Sequence, residues 1–137
     1  MLTRLGGIGL LVGLALVGQG CASVANPTGV NYTLDGIAFR TFSMPVDQIR
    51  RATLTTFKRM DMVVKSDNTL EDGGREFVAA AGDRTFHVEL ERLTARTTRM
   101  RITAMNSWPW SDRSAAGEIL VQTARALEET PAVTRAK

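Results

Sequence analysis

The sequence predicts an α+β fold with two layers, in which two helices lie on one face of an antiparallel sheet, in the order β-α-β-β-β-β-α. Three observations support this prediction. Two segments repeat apolar residues at helical spacing, and the segments between them alternate apolar and polar residues, as strands with one solvated face do. In addition, Gly82-Asp83 is a dipeptide typical of a two-residue hairpin loop.

The first strand and the first helix are predicted from the segment that ends near residue 60. The strand covers Gly36–Phe42, or starts already near Tyr32 with a bend or bulge at Asp35-Gly36. The helix opens at Met44-Pro45-Val46-Asp47, because proline is pre-organised for a first turn and an early carboxylate suits the helix dipole. Its apolar face consists of Val46, Ile49, Thr53, Phe57 and Met60.

For the central strands, the sequence also predicts which residues lie opposite each other on neighbouring strands. A short strand, Met62–Lys65, is followed by an acidic loop, Asp67–Gly74. The Gly82-Asp83 turn pairs Ala81 with Arg84, and a further loop at Leu93–Thr97 fixes the next pair of strands. The predicted opposite pairs are Ala79 and Phe86, Phe77 and Val88, Leu90 and Met100, Val88 and Ile102, Glu91 and Arg99, and Glu89 and Arg101.

A second amphipathic helix closes the predicted domain. Ser111 is its expected cap and Asp112 lies in its first turn. Its apolar face consists of Ala116, Ile119, Leu120, Thr123 and Leu127.

The amino-terminal segment predicts export. Arg4 precedes the uncharged run Leu5–Val17, which is too short to cross a bilayer and is typical of the apolar part of a signal peptide. The chain is divided into a signal peptide (1–20), a tether (21–31), an α+β domain (32–128) and a frayed tail (129–137), and the resemblance of residues 17–21 to a lipobox makes the first segment a lipoprotein signal peptide.

Cys21 is the single cysteine of the chain and the predicted lipidation site. The run Val17-Gly18-Gln19-Gly20-Cys21 resembles the lipobox of bacterial lipoproteins, in which a small residue precedes a cysteine that is diacylated on sulfur. By the same resemblance, Ala22 after the cysteine favours the outer membrane over the inner one. The alternative is ordinary cleavage after Ser23-Val24-Ala25, which would release a soluble protein that begins at Asn26.

The sequence does not predict a catalytic, cofactor or metal site. His87 is the single histidine and falls on the polar face of the sheet, where a general base would lack a pocket. Glu89 and Glu91 share that face, but their predicted arginine partners would keep them ionised, so cross-strand ion pairs are expected instead of a hydrolytic pair. The mixed charges do not resemble a nucleic-acid-binding segment.

Trp108-Pro109-Trp110 precedes the second helix and admits two interpretations. The rings close one end of the core, as most tryptophans are well buried. Alternatively, Trp108 and Trp110 form an exposed contact for a partner protein, a ligand or lipid headgroups.

Several of these features together resemble a family of small bacterial lipoproteins known only as a domain of unknown function. They are the lipobox, a tyrosine-containing strand, Phe42-Ser-Met-Pro45-Val46-Asp47-Gln48-Ile49, and a turn before Arg75-Glu76-Phe77-Val78. The likeness covers about Cys21–Leu127. A weaker likeness is to the helix-grip domains of a lipoprotein subunit of the outer-membrane β-barrel assembly machinery. Neither resemblance implies a catalytic residue.

We therefore expect an exported, membrane-anchored lipoprotein on the periplasmic side of the cell envelope, where it binds or scaffolds envelope proteins. The second hypothesis is a periplasmic carrier of a small apolar ligand or lipid. That hypothesis requires a cavity among Phe39, Phe57, Phe86 and Ile119. An enzyme is not expected, because one histidine does not supply a nucleophile, a base and an orienting group.

Overall fold

A computed structural model describes residues 28–105 and 113–130 of the chain. Six strands form one antiparallel sheet in the order β1-β2-β6-β5-β4-β3, and two helices complete an α+β fold. The predicted fold class is therefore confirmed. The elements are β1 Asn31–Tyr32, β2 Ala38–Phe42, α1 Val46–Arg59, β3 Val63–Thr69, β4 Arg75–Ala81, β5 Arg84–Thr94, β6 Thr97–Met105 and α2 Arg113–Glu129.

The segment before α1 forms two strands where one was predicted. Asn31 pairs with Phe39 and Tyr32 with Ala38, across a turn in which Gly36 has a φ of 84°. A positive φ is readily adopted by glycine, and this explains why the predicted bend at Asp35-Gly36 becomes a complete reversal. Val30 is buried in the core, so the packed domain begins inside the segment predicted as a tether.

Helix α1 begins directly after Pro45, whose extended backbone (φ −63°, ψ 154°) makes it the N-cap. Its buried residues are Val46, Ile49, Ala52, Thr53, Thr56 and Phe57. Met60 is partly buried and stands at the C-cap. Asp61 follows with a φ of 54°, and this left-handed residue turns the chain into β3.

Helix α2 begins at Arg113, so the predicted cap Ser111 and Asp112 lie outside the described residues. Its buried residues are Ala116, Gly117, Ile119, Leu120, Thr123, Ala124 and Ala126. Leu127 is only partly buried against the core. The helix thus buries small residues beside the predicted apolar ones, which allows close approach to its neighbours.

The predicted register of the central strands is confirmed in all of its pairs. Ala81 pairs with Arg84 across the Gly82-Asp83 turn, and β5 pairs with β6 so that Glu89 lies opposite Arg101. The loop predicted at Leu93–Thr97 is shorter than expected, because β5 continues to Thr94 and β6 starts at Thr97. An irregularity between Arg92 and Thr94 accommodates the tighter turn.

Strand β3 corrects two predictions. It extends from Val63 to Thr69, beyond the predicted end at Lys65, and takes in Asp67, which was assigned to a loop. A bulge between Val64 and Ser66 interrupts its pairing with β4. The strand has few apolar residues because it lies at the edge of the sheet, and this explains why alternation did not reveal its full length.

Both helices contribute to one core on one face of the sheet. Phe57 of α1 meets Phe77 of β4 edge to face, with ring centroids 5.9 Å apart. The helices meet at Thr56 and Thr123, whose buried hydroxyl oxygens are 3.3 Å apart. Within the described residues the opposite face of the sheet carries no helix, and we call it the outer face.

Candidate functional site

The outer face contains the polar residues that the sequence singled out. His87 lies opposite Thr103 in the register, as predicted, and its Nε2 contacts Oε1 of Glu76 on the neighbouring strand β4. Both side chains are about one-third exposed. A carboxylate can orient an imidazole, but a general base also needs a pocket that holds the substrate. This pair lies on the open surface of a sheet.

The two predicted cross-strand ion pairs differ in the structure. Arg99 Nη1 lies 3.4 Å from Glu91 Oε2, which forms the first pair. Glu89 lies between Arg101 on one neighbouring strand and Glu76 on the other. Among the described residues, the predicted Glu91–Arg99 ion pair is present and the predicted Glu89–Arg101 ion pair is not. Two carboxylates placed directly opposite each other repel. Glu89 therefore faces a like charge on one neighbouring strand and an opposite charge on the other.

A second charged cluster was not predicted as a group. Asp67 of β3 accepts hydrogen bonds from Arg50 of α1 (2.6 Å from Nη2) and from Arg75 of β4 (3.1 Å from Nε). Burial alone would raise the pKa of Asp67, but the hydrogen bonds and positive charges of Arg50 and Arg75 outweigh burial and hold that pKa below its usual value of 3.8. The cluster joins the helix layer to the edge of the sheet.

An open depression of about 230 Å³ lies where α1 begins. Pro45, Val46, Asp47, Gly73, Arg92 and Ala95 line it. Its walls combine one carboxylate and one guanidinium with small residues. None of the candidates from the sequence, His87, Glu89 or Glu91, belongs to this lining.

The four residues named for a carrier cavity do not surround one space. Phe57, Phe86 and Ile119 are at most 2% exposed and belong to the packed core. Phe39 pairs with Arg101, so it lies on the outer face with that residue, while its neighbour Ala38 is buried opposite Ile102. The arrangement gives no support to a ligand cavity bounded by these four side chains.

Cys21, Trp108 and Trp110 lie outside the described residues. In the described part of the chain, no group of three or more His, Cys, Asp or Glu side chains is placed to hold a metal ion. Neither α1 nor α2 has the length and apolar character that a bilayer-spanning helix needs.

Residues 7–105 match the model of a family described as a protein of unknown function (DUF3568). The chain belongs to this family. The expected membership of an uncharacterised family is thereby confirmed. The DUF3568 match includes Cys21 and ends at Met105, the last residue of β6, so α2 lies beyond it. A search among curated proteins gave no match to the chain.

Proposed function

We propose that this protein is an exported lipoprotein, anchored through acylated Cys21 and facing the periplasm, that acts by binding or scaffolding in the cell envelope. The observation that carries the proposal is the position of Cys21, directly after Gly20 at the end of an uncharged segment. The DUF3568 match supports it, because the matched region begins at residue 7 and so includes most of this segment.

Acylation at this position has a clear physical effect. A single acyl chain gives marginal membrane binding, whereas two or three chains give stable anchoring, at about 0.8 kcal/mol for each buried methylene. An anchored domain needs no membrane-spanning element of its own. Ala22 after the cysteine favours the outer membrane by resemblance to lipoprotein sorting.

Binding is favoured over catalysis because the polar residues lie on an open face. The Glu76–His87 pair and the Glu91–Arg99 pair are on the surface of the sheet, and Glu89 lies on the same face between Glu76 and Arg101. Such a surface suits an envelope protein with complementary charges. The weaker resemblance to an assembly-machinery lipoprotein makes outer-membrane assembly proteins one class of partner to test.

The decisive experiment is the intact mass of the mature protein, measured separately in membrane and soluble fractions of a bacterial host. We expect a membrane-bound species that begins at Cys21 and carries acyl chains, and a Cys21→Ala variant that lacks them. A soluble species that begins at Asn26 would contradict the proposed lipid anchor and would show that the protein is secreted by ordinary cleavage.

Trp108 and Trp110 are the two tryptophans of the chain, so fluorescence excited selectively in indole, at a wavelength that Tyr32 does not absorb, reports on them alone. If they form a partner contact, their emission is that of solvated indole and is readily quenched by acrylamide. If they close the core, the emission is shifted to shorter wavelength and becomes accessible to the quencher only on unfolding.

A further inference from the structure

The turn between β1 and β2 presents a leucine fully to solvent. Leu34 is 99% exposed, although the turn that carries it is well fixed. The Thr33 amide donates to the Ile37 carbonyl (2.9 Å), the Gly36 amide donates to the Thr33 carbonyl (3.0 Å), and the Thr33 hydroxyl accepts from the Ile37 amide (3.0 Å). The side chain is therefore held outward by the backbone and has no packing role.

The surroundings of Leu34 distinguish it from an ordinary exposed leucine. Tyr32 is 46% exposed and donates its hydroxyl to the Arg113 carbonyl, 3.3 Å away. The Arg113 guanidinium in turn reaches the Leu34 carbonyl at 3.4 Å. An apolar tip beside a tyrosine and an arginine is the combination that suits the boundary between lipid headgroups and acyl chains.

The charge at this edge fits an anionic surface. Arg40 lies on the same side, where its Nη1 donates to the Thr28 carbonyl at 2.7 Å. Arg40 and Arg113 are both cationic, whereas Asp35 is the one carboxylate within the turn that carries Leu34. The two guanidinium groups offer cationic partners to lipid headgroups, whose phosphate attracts arginine.

The chain enters the domain at this same edge. Thr28 is the first described residue and stands seven positions after Cys21. Seven residues span at most about 25 Å when fully extended, and a flexible chain of that length has a typical end-to-end distance of about 15 Å. Strand β3, at the other edge of the six-stranded sheet, is about 24 Å further away at the usual strand spacing.

We propose that the β1–β2 edge lies against the lipid surface, with Leu34 inserted at the headgroup boundary and Arg40 and Arg113 beside phosphate groups. This inference rests on the lipid anchor proposed above. The short tether keeps this edge close to the bilayer, so that one inserted leucine and two cations are sufficient to orient the domain. Strand β3 then faces away from the membrane.

The test measures the depth of a label at position 34 in the full-length acylated protein. Acylation occupies the sulfur of Cys21, and the chain has no other cysteine, so Leu34→Cys introduces one reactive thiol for a fluorophore. Glu71→Cys is the matched control, because Glu71 is exposed in the turn between β3 and β4 at the far edge. Vesicles of phosphatidylcholine and phosphatidylglycerol carry nitroxide-labelled lipid as the quencher.

We expect quenching at position 34 to exceed that at position 71 by severalfold, and to weaken when phosphatidylglycerol is left out. Equal quenching at the two positions in a protein that floats with the vesicles would overturn this inference and leave the anchor intact. A protein that carries no acyl chains and does not float would overturn both proposals.

Discussion

Asp67 connects the two layers of the domain through a single carboxylate. One oxygen accepts from Arg50 on α1 and the other accepts from Arg75 on β4, and all three side chains are between 20% and 33% exposed. Partial burial makes these ion pairs stronger than surface pairs, although water still screens them. They hold the first half of α1 over an edge strand that contributes few apolar residues.

Asp67→Asn should lower the free energy of unfolding by about 1–2 kcal/mol at pH 7, because both arginines lose their charged acceptor. The pKa of Asp67 is lowered in the folded state, so the contribution of its charge to stability is complete above the usual value of 3.8 and is lost as pH falls through the folded pKa. Denaturant unfolding at pH 7 and at successively lower pH values measures this.

The difference between Asp67→Asn and the unchanged protein should therefore shrink in acid. Glu71→Gln is the control, since Glu71 is an exposed carboxylate a few residues further along the chain. A difference that stays constant down to the acid unfolding transition would contradict the assigned role of the Asp67 charge.

At the scale of elements, the contact between α2 and β1 depends on a glycine. Gly117 is buried in α2, and a methyl group added there would overlap the Tyr32 hydroxyl. Glycine within a helix costs about 1 kcal/mol relative to alanine. The helix thus gives up intrinsic stability so that the tyrosine of the β1–β2 edge can lie across it.

Gly117→Ala should be close to neutral by itself, because the gain in helix propensity is offset by displacement of Tyr32. In a Tyr32→Phe background the hydroxyl is absent, and the same substitution should be more favourable by about 0.5–1 kcal/mol. A double-mutant cycle of denaturant unfolding measures the coupling. Simple additivity of the two substitutions would show that the predicted overlap does not exist.

Elements with regular alternation were predictable from the sequence, and irregular ones were not. Strands β4, β5 and β6 have apolar residues on one face, and β5 and β6 also carry complementary charges on the other, so the two predicted turns fixed their register. Strand β3 lacks this alternation and contains a bulge. For these reasons the sequence did not predict that Asp67 lies in a strand beside Arg50 and Arg75. Phe39 was named among the residues of a carrier cavity, whereas its pairing with Arg101 places it on the outer face.

The polar pair Glu76–His87 was missed for a different reason. The partners lie on neighbouring strands, and the residues directly opposite them are Glu89 and Val78, respectively. The contact is therefore diagonal and depends on side-chain conformation, which the register alone does not determine.

At the scale of the whole molecule, β3 is an edge strand that exposes backbone groups together with Val63 and Val64. Exposed edges invite pairing with a second chain, and charged residues and bulges oppose it. Lys65 falls within the irregularity between Val64 and Ser66 and is itself exposed. It supplies a positive charge directly beside the exposed side chains of Val63 and Val64.

Lys65→Ile should promote self-association, because it creates three consecutive β-branched apolar residues on an exposed edge. Light scattering should give a larger apparent mass for this variant than for the unchanged protein at equal concentration in the same detergent. Lys58→Ile, at an exposed position of α1, is the matched control and should change the mass little. If the two variants associated equally, the added hydrophobicity alone would explain the self-association, and the role of Lys65 at the β3 edge would be contradicted.

The two-residue pairing of β1 also has a mechanical consequence. A pull on the chain at Thr28 acts first on its hydrogen bond with Arg40 and on buried Val30, and then on β1, which is joined to the sheet through β2 alone. Peeling β1 away would release the chain up to Ile37 and lengthen the amino-terminal connection by about 30 Å. The longer strands β2, β6, β5 and β4 would remain paired, so the domain can yield at its amino-terminal edge without unfolding.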